Sequence, residues 1–240
     1  QHQHHQNNMG AFGGPDIVDD GLVFAVDAGS SRSYPGSGTA ATSLVGSITS
    51  TLNNGVGFST DNGGTWTFDG TDDKITIANS STMQPTSALT MEAWIRLDTM
   101  PSSWYSVFQS PESNSVHTSP FFDWAIYINT TGGLHTRING ISDGLGSGTT
   151  TKMQINTWSQ AVITWNGSLV SYYLNGSLIQ TVSLSTTISY TNNTNKLIGT
   201  NASGSEAVDG KMPIVRFYNR AITAVEVSQN FNAQKSRFGL

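Results

Sequence analysis

Asp69, Asp72 and Asp73 crowd three carboxylates into one turn around Gly70. Carboxylates so placed can do two kinds of work. Each can cap the turn by accepting hydrogen bonds from nearby backbone, as Asp commonly does. Together they can supply part of the six to eight oxygens that Ca²⁺ requires, with Asp27 or Asp209 as remote ligands. Pro101-Ser-Ser-Trp104-Tyr105 offers a different chemistry, two large rings beside small polar residues. Such rings stack on sugars where they face water and fill the core where they do not. Trp104 and Tyr105 are therefore the candidate glycan-binding pair, with Tyr34 and Trp124 as further candidates. Catalytic groups are sparse. Glycoside hydrolysis needs two carboxylates held about 5–10 Å apart. The four glutamates, Glu92, Glu112, Glu206 and Glu226, lie far apart in sequence, and Glu206 with Asp209 is spaced for a turn. Beyond His2, His4 and His5 near the start there are only His117 and His135, and there is no cysteine, so material for a nucleophile–base–orienter set is lacking. Nor is there a Gly-x-Ser-x-Gly elbow. The expectation is a domain that is not an enzyme.

Composition narrows the field further. A chain of 240 residues suits one large β-sandwich with its own core. Charged residues are 11% of it, well below the usual quarter, so Ser, Thr, Asn, Gln and Gly must supply the polar surface. The formal net charge is −5 and no Lys/Arg cluster follows a groove-like pattern, which argues against nucleic acid as a partner. No apolar run approaches the roughly 18 residues of a membrane span, and no signal-peptide pattern is visible. Without cysteine, a disulfide framework and zinc–thiolate sites are excluded.

The elements that must hold these residues read as strands. Leu22–Asp27 is an apolar run closed by a turn cluster. Thr65–Asp69 and Lys74–Ala78 flank the acidic turn. Over Leu89–Leu97, Leu89, Met91, Ala93, Ile95 and Leu97 share one face, while Thr90, Glu92, Trp94 and Arg96 share the other. That alternation predicts a half-buried strand, with Glu92 in an outer-face cross-strand pair. Phe121–Asn129 and Leu134–Ile138 form the next pair. Trp158–Trp165, Leu169–Leu174 and Leu178–Leu184 are separated by Asn166-Gly167 and Asn175-Gly176, which predicts a three-stranded meander with two type I′ turns. Lys196–Thr200 and Pro213–Tyr218 are later strands. Thr223 and Glu226 then fit a capping box, and Val227 and Phe231 share a helical face, predicting one short helix over 223–234. Residues 1–20, polar at first and broken by Gly13-Gly14-Pro15, read as a flexible arm ahead of a single domain over 21–240.

Six of these pieces stand in a recognisable order. They are Phe68-Asp-Gly-Thr-Asp-Asp73, Leu89-Thr-Met-Glu-Ala-Trp-Ile95, Trp158-Ser-Gln-Ala-Val-Ile163, Tyr173-Leu-Asn-Gly176, Leu197-Ile-Gly199 and Val215-Arg-Phe-Tyr-Asn-Arg-Ala-Ile222. From about residue 21 onward the chain resembles the laminin-G-like, concanavalin A-like jelly-roll family. That implies an all-β, antiparallel two-sheet sandwich with one short C-terminal helix. Family calcium sites, where present, use acidic loop residues and carbonyls. In many relatives the strand before the Arg-Phe-Tyr-Asn-Arg-Ala segment carries acidic residues near its start, whereas Lys211-Met-Pro-Ile-Val215 has none. Related retaining glycanases place acids at i, i+2 and i+5 along a strand, and no glutamate here has an acid at +2. Ser59-Thr-Asp-Asn-Gly-Gly-Thr-Trp66 resembles the Asp box of sialidase propellers, but a single copy builds no propeller. It reads as a polar turn feeding the strand Trp66–Asp69.

A narrower likeness lies in Gly21-Leu-Val-Phe-Ala-Val-Asp-Ala-Gly29 and Ser33-Tyr-Pro-Gly-Ser-Gly38, which are similar to versions carried by tailed bacteriophages. That resemblance implies a virion surface protein, a capsid decoration or fibre component. The arm 1–20 is the segment expected to contact other virion proteins, with a homo-oligomer as one form the assembly can take. The alternative is a secreted or cell-surface module that adheres to glycans.

Overall fold

The computed structural model describes residues 16–240. Sixteen strands are laid out among them: β1 (Leu22–Asp27), β2 (Ala40–Thr42), β3 (Thr49–Asn53), β4 (Gly57–Ser59), β5 (Thr65–Asp69), β6 (Lys74–Ile77), β7 (Leu89–Leu97) and β8 (Trp104–Pro111). They continue with β9 (Phe122–Asn129), β10 (Leu134–Ile138), β11 (Ile141–Ser142), β12 (Trp158–Trp165), β13 (Leu169–Leu174), β14 (Ser177–Ser183), β15 (Lys196–Ile198) and β16 (Asp209–Tyr218). One helix, α1 (Ala224–Gln234), follows. The first sheet runs β14-β13-β12-β7-β16-β5-β4, with β1 also paired to β16, and the second runs β11-β10-β9-β8-β15-β6-β3-β2. All these strand pairs are antiparallel. The all-β jelly-roll sandwich with a short C-terminal helix is therefore what the sequence led us to expect.

The alternation of apolar residues builds the core. Met91, Ala93 and Ile95 of β7, Ile126 of β9, Ile163 of β12 and Val215 of β16 meet between the sheets with large rings that include Phe108, Trp124 and Phe217. Trp124 stacks on Phe217 with centroids 4.4 Å apart, and Phe108 meets Trp124 edge-on at 5.0 Å. Both Trp124 and Tyr34 are core residues, which removes them as sugar-stacking candidates. β16 serves two partners along one side: Asp209–Met212 pairs with β5, and Ile214–Tyr218 pairs with β1. Pro213, which lacks an amide donor, stands at the handover, where its carbonyl accepts from the Ala28 amide at 2.8 Å.

Three local expectations change. β7 is buried on both faces, because α1 and the turn Lys235–Phe238 cover its outer side. Trp94, fully buried, stacks on Phe238 at 4.3 Å and on Phe231 at 5.8 Å. Glu92 does pair across the strands with Arg216, but the pair is sealed rather than exposed. Asn230 and Gln160 donate to the same carboxylate at 2.9 and 3.2 Å, and Arg216 also reaches Gln234 of the helix. At Asn175-Gly176 both residues have positive φ (50° and 79°), as a type I′ turn requires. At Asn166-Gly167 only the glycine does; the Asn166 side chain instead caps the turn by accepting from the Ser168 and Leu169 amides at 3.0 and 2.8 Å.

The helix carries the expected capping box. The Thr223 hydroxyl accepts from the Glu226 amide, and the Glu226 carboxylate accepts from the Thr223 amide. Of the arm 1–20, residues 16–20 belong to the folded body. Val18 lies against Val162, Tyr218 and Val227, its amide donates to Asn230, and its carbonyl accepts from the Tyr218 hydroxyl at 2.6 Å. The remainder of the arm, and the histidines in it, lies outside the described residues. Among the described residues no helix is long and apolar enough to cross a membrane.

Candidate functional site

Among the described residues, no helix packs on the outer face of the second sheet. Along β9 and β10, Tyr127 and His135 are directly opposed, as are Ala125 and Arg137. Trp104 opens β8 opposite Asn129, partly exposed above this surface, with Tyr127 and His135 edge-on at 5.2 and 5.1 Å. Below it sits a buried polar network. The Asp143 carboxylate accepts from the Tyr172 hydroxyl (2.7 Å) and the Thr136 and Leu145 amides (2.9 and 3.0 Å), and lies 3.4 Å from His135 Nδ1. Burial alone would raise its pKa, yet His135, the two amides and Tyr172 outweigh burial and hold Asp143 below the usual carboxylate range.

Three concavities meet at the Trp104 ring. The first, about 110 Å³, is aromatic, walled by Phe121, Phe122 and Tyr127, with His117, Arg137 and Glu206 around it. Phe121 holds a φ of 71°, rare for a bulky residue. In that conformation its ring lies 5.1 Å beneath the Arg137 guanidinium, whose Nη1 donates to the Gly140 carbonyl at 2.8 Å. Glu206 Oε1 accepts from the Ser106 hydroxyl at 2.7 Å and stands 3.2 Å from His117 Nε2. Burial would raise the Glu206 pKa, but His117 and Ser106 more than offset it, so the carboxylate stays ionised. The second concavity, about 290 Å³, is polar and acid-lined, with Asp69, Thr71, Thr99, Ser102 and Asp209 among its walls. The third, about 380 Å³, is lined by hydroxyl residues, glycine and Asn129.

The two predicted rings part company here. Tyr105 turns inward, 6% exposed. Its hydroxyl donates to Thr99 Oγ1, which donates to Asp209 Oδ2, both at 2.8 Å, so Tyr105 braces the acid-lined pocket without presenting a ring face. The predicted acidic cluster lies at the rim of that pocket, and oxygens of Asp69, Asp72 and Asp73 approach within 4.8 Å of one another. The turn-capping role is realised: Asp69 Oδ1 accepts from the Thr71 amide at 2.9 Å and Asp73 Oδ2 from the Asp69 amide at 3.0 Å. Asp73 Oδ1 remains buried with no hydrogen-bond partner among the described residues. Burial pushes the Asp73 carboxyl up to about 6. A buried carboxylate oxygen without a donor, close to two further carboxylates, fits a divalent cation held by Asp69, Asp72 and Asp73.

Asp209 lies beside this cluster, opposite Asp69 in the β5–β16 register. The strand begins there, two residues before Lys211, so it does carry an acid at its start. Asp27 is elsewhere, bound by Arg237 through both oxygens at 2.8 and 2.9 Å. Arg237 also donates to Asn62 and Gly64, pinning the Asp-box-like turn to the C-terminus. Sequence reasoning missed the aromatic pocket. Tyr127 and Arg137 left a signal, since they recur at period two along neighbouring strands. His117 and Glu206 left none, because they come from separate loops that only the tertiary fold joins.

The architecture and its matches agree. The model of the Laminin_G_3 family, described as the concanavalin A-like lectin/glucanases superfamily, matches residues 69–228. The chain belongs to that superfamily. No curated protein matches the sequence. Among solved structures, domain 4 of AbnA, an extracellular arabinanase from Geobacillus stearothermophilus in complex with arabinotriose, superposes with a TM-score of 0.65 at 12% identity, covering 88% of this chain and 98% of that one. The binding domain of Paraclostridial Mosquitocidal Protein 1 gives 0.65 at 19% identity, covering 88% and 52%. A Trypanosoma rangeli sialidase in complex with the inhibitor DANA gives 0.65 at 12% identity, covering 92% of this chain but 34% of the sialidase, so this jelly roll spans about a third of that protein. At these identities the likeness is one of fold.

Proposed function

We propose that this domain binds carbohydrate without catalysing its cleavage, with Trp104 as the platform on which a sugar ring stacks. The observation that carries the proposal is the partly exposed Trp104 ring at the meeting point of three concavities. Carboxylates and hydroxyls at its edges supply the directional acceptors that sugar hydroxyls need. Domain 4 of the arabinanase, a jelly roll of the same size solved with arabinotriose, supports the reading by its fold. Against catalysis stand two environments. Glu92 is sealed beneath α1 and cannot meet a substrate. Glu206 is kept ionised, whereas a glycosidic general acid needs a raised pKa.

The test is a glycan array followed by calorimetry. Binding by the wild type that Trp104→Ala abolishes, with no release of reducing ends, is the expected result; bond cleavage by the pure protein, or binding that survives Trp104→Ala, overturns it. A calcium ion on Asp69, Asp72 and Asp73 belongs to the same proposal as a brace for the acid-lined pocket, and calcium titration of EDTA-treated protein checks it.

For setting, we propose the surface of a tailed-phage virion, where the domain acts as a decoration or fibre component. The likeness of Gly21–Gly29 and Ser33–Gly38 to phage proteins favours this. Mass spectrometry of purified particles should find the chain; finding it only in a bacterial secretome supports the secreted adhesion module instead.

A further inference from the structure

We infer that the groove around Trp104 takes an internal stretch of an extended, neutral polysaccharide rather than a single sugar or an acidic glycan; this rests on the carbohydrate-binding reading above. Length comes first. A site for one terminal sugar is an enclosed pocket that surrounds it. Here the Trp104 ring stands between two open concavities, and each brings its own polar group. On one side Asp209 commits Oδ2 to Thr99, and its other oxygen makes no hydrogen bond among the described residues. On the other side Glu206 commits Oε1 to Ser106 and His117, and Arg137 spends one nitrogen on Gly140. The third concavity reads less, because its amide, Asn129, is already taken up by Ser147, Thr131 and Gly133. A chain stacked on Trp104 with neighbouring sugars in the acid-lined and aromatic pockets satisfies both sets; one sugar reaches only one of them.

Charge comes second. Each end of this path offers a carboxylate outside the Asp69, Asp72 and Asp73 set proposed for calcium, Asp209 at one and Glu206 at the other, an acceptor that suits sugar hydroxyls and repels uronates and sulfates. The single guanidinium, Arg137, is stacked on Phe121 and faces the ionised Glu206 across the same pocket. The formal charge of −5 adds to the repulsion of a polyanion.

Calorimetry with linear arabino-, xylo- and cello-oligosaccharides of increasing length, and with polygalacturonate as the acidic probe, tests the inference on the whole chain. For the neutral series that binds, affinity should rise about tenfold or more from the disaccharide to the hexasaccharide and change less than about twofold in added salt. Thr71→Arg, which fills the acid-lined pocket, and Phe121→Ala, which opens the aromatic one, should each shrink that gain with length while disaccharide binding over Trp104 persists. A monosaccharide or disaccharide that binds as tightly as the hexasaccharide overturns the extended-chain claim, and tighter binding of polygalacturonate than of any neutral chain overturns the charge claim; both leave carbohydrate binding standing. Failure to bind any glycan brings down the reading beneath as well.

Discussion

The two outer faces of this sandwich each carry a tryptophan near an acid, and the chain treats them in opposite ways. On the first sheet, Trp94 and Glu92 are capped by α1 and the turn after it, and the Glu92–Arg216 pair is satisfied inside the protein. On the second sheet, Trp104 and Glu206 lie where loops leave gaps. The fold plainly has the means to seal such a face, since it seals one with fewer than twenty residues of C-terminal chain. Sealing Trp94 adds stability, because a buried indole contributes several kcal/mol through the area it removes from water, about 4–6 kcal/mol at most. Leaving Trp104 partly in water forgoes part of that. The contrast is what makes the second face the place to look for a ligand.

The comparison can be broken most forcefully at the sealed face. Glu92→Ala leaves Arg216 buried without its carboxylate, and Trp94→Ala leaves a cavity beneath Phe238; each should cost about 3–5 kcal/mol of unfolding free energy. Chemical denaturation measures this, and the folded fraction of either variant should bind glycan with unchanged affinity. Replacing the pair together, Glu92→Leu with Arg216→Met, should recover much of the loss, since no lone charge then remains. The mirror experiment is Trp104→Ala. It should cost less than the loss at Trp94, about 1–3 kcal/mol of stability, because the ring is partly in water already, and remove about 2 kcal/mol or more of binding energy. Equal stability losses at Trp94 and Trp104 would erase the distinction between the faces.

A smaller effect separates the two carboxylates beneath the open face by pH. Asp143 has a depressed pKa in the fold, so it contributes stability that is present above its unfolded value and lost as pH falls through the folded one. Asp73 is the reverse. With its carboxyl pushed up to about 6, the folded state holds a proton that the unfolded chain has released, so stability should fall as pH rises from about 4 to about 6. The slope should not exceed about 1.4 kcal/mol per pH unit. Asp73→Asn should flatten that interval in EDTA. If calcium binds the cluster, adding it should stabilise the wild type above pH 6 and leave Asp73→Asn unmoved; equal responses of the two would place any calcium elsewhere.

How much of this was legible in the sequence depended on how local the cause was. The bounds of β7, the meander and the capping box of α1 follow from period two, Asn-Gly and Thr-x-x-Glu, all set within a few residues. The burial of Glu92 was not legible, because what covers it comes from a helix more than a hundred residues later in the chain. The rings were ambiguous for another reason. Trp104, Tyr105 and Trp124 all sit in strands, and alternation assigns a face only while the register holds. β8 breaks register between Ser106 and Phe108, and again between Ser110 and Pro111. Beyond such a bulge, parity read from sequence points to the wrong sheet face. The aromatic pocket was less legible still, since Glu206 and His117 meet only when two loops close over β8.

The smallest expected effect asks whether the cover on the first sheet is a separable part. Thr223→Ala removes the side-chain acceptor that caps α1 and should cost about 1 kcal/mol. If α1 opens as a local unit, that cost appears as roughly fivefold faster amide exchange within Ala224–Gln234 and little change at β8 to β10. Arg220 then keeps the helix start tethered, since it still grips Glu226, which it holds down to about 2. Exchange that quickens equally in α1 and in β9 would mean that the cover and the two sheets open as one cooperative body. The sealed face would then be no independent module, and the openness of the Trp104 face would have to be explained by its loops alone.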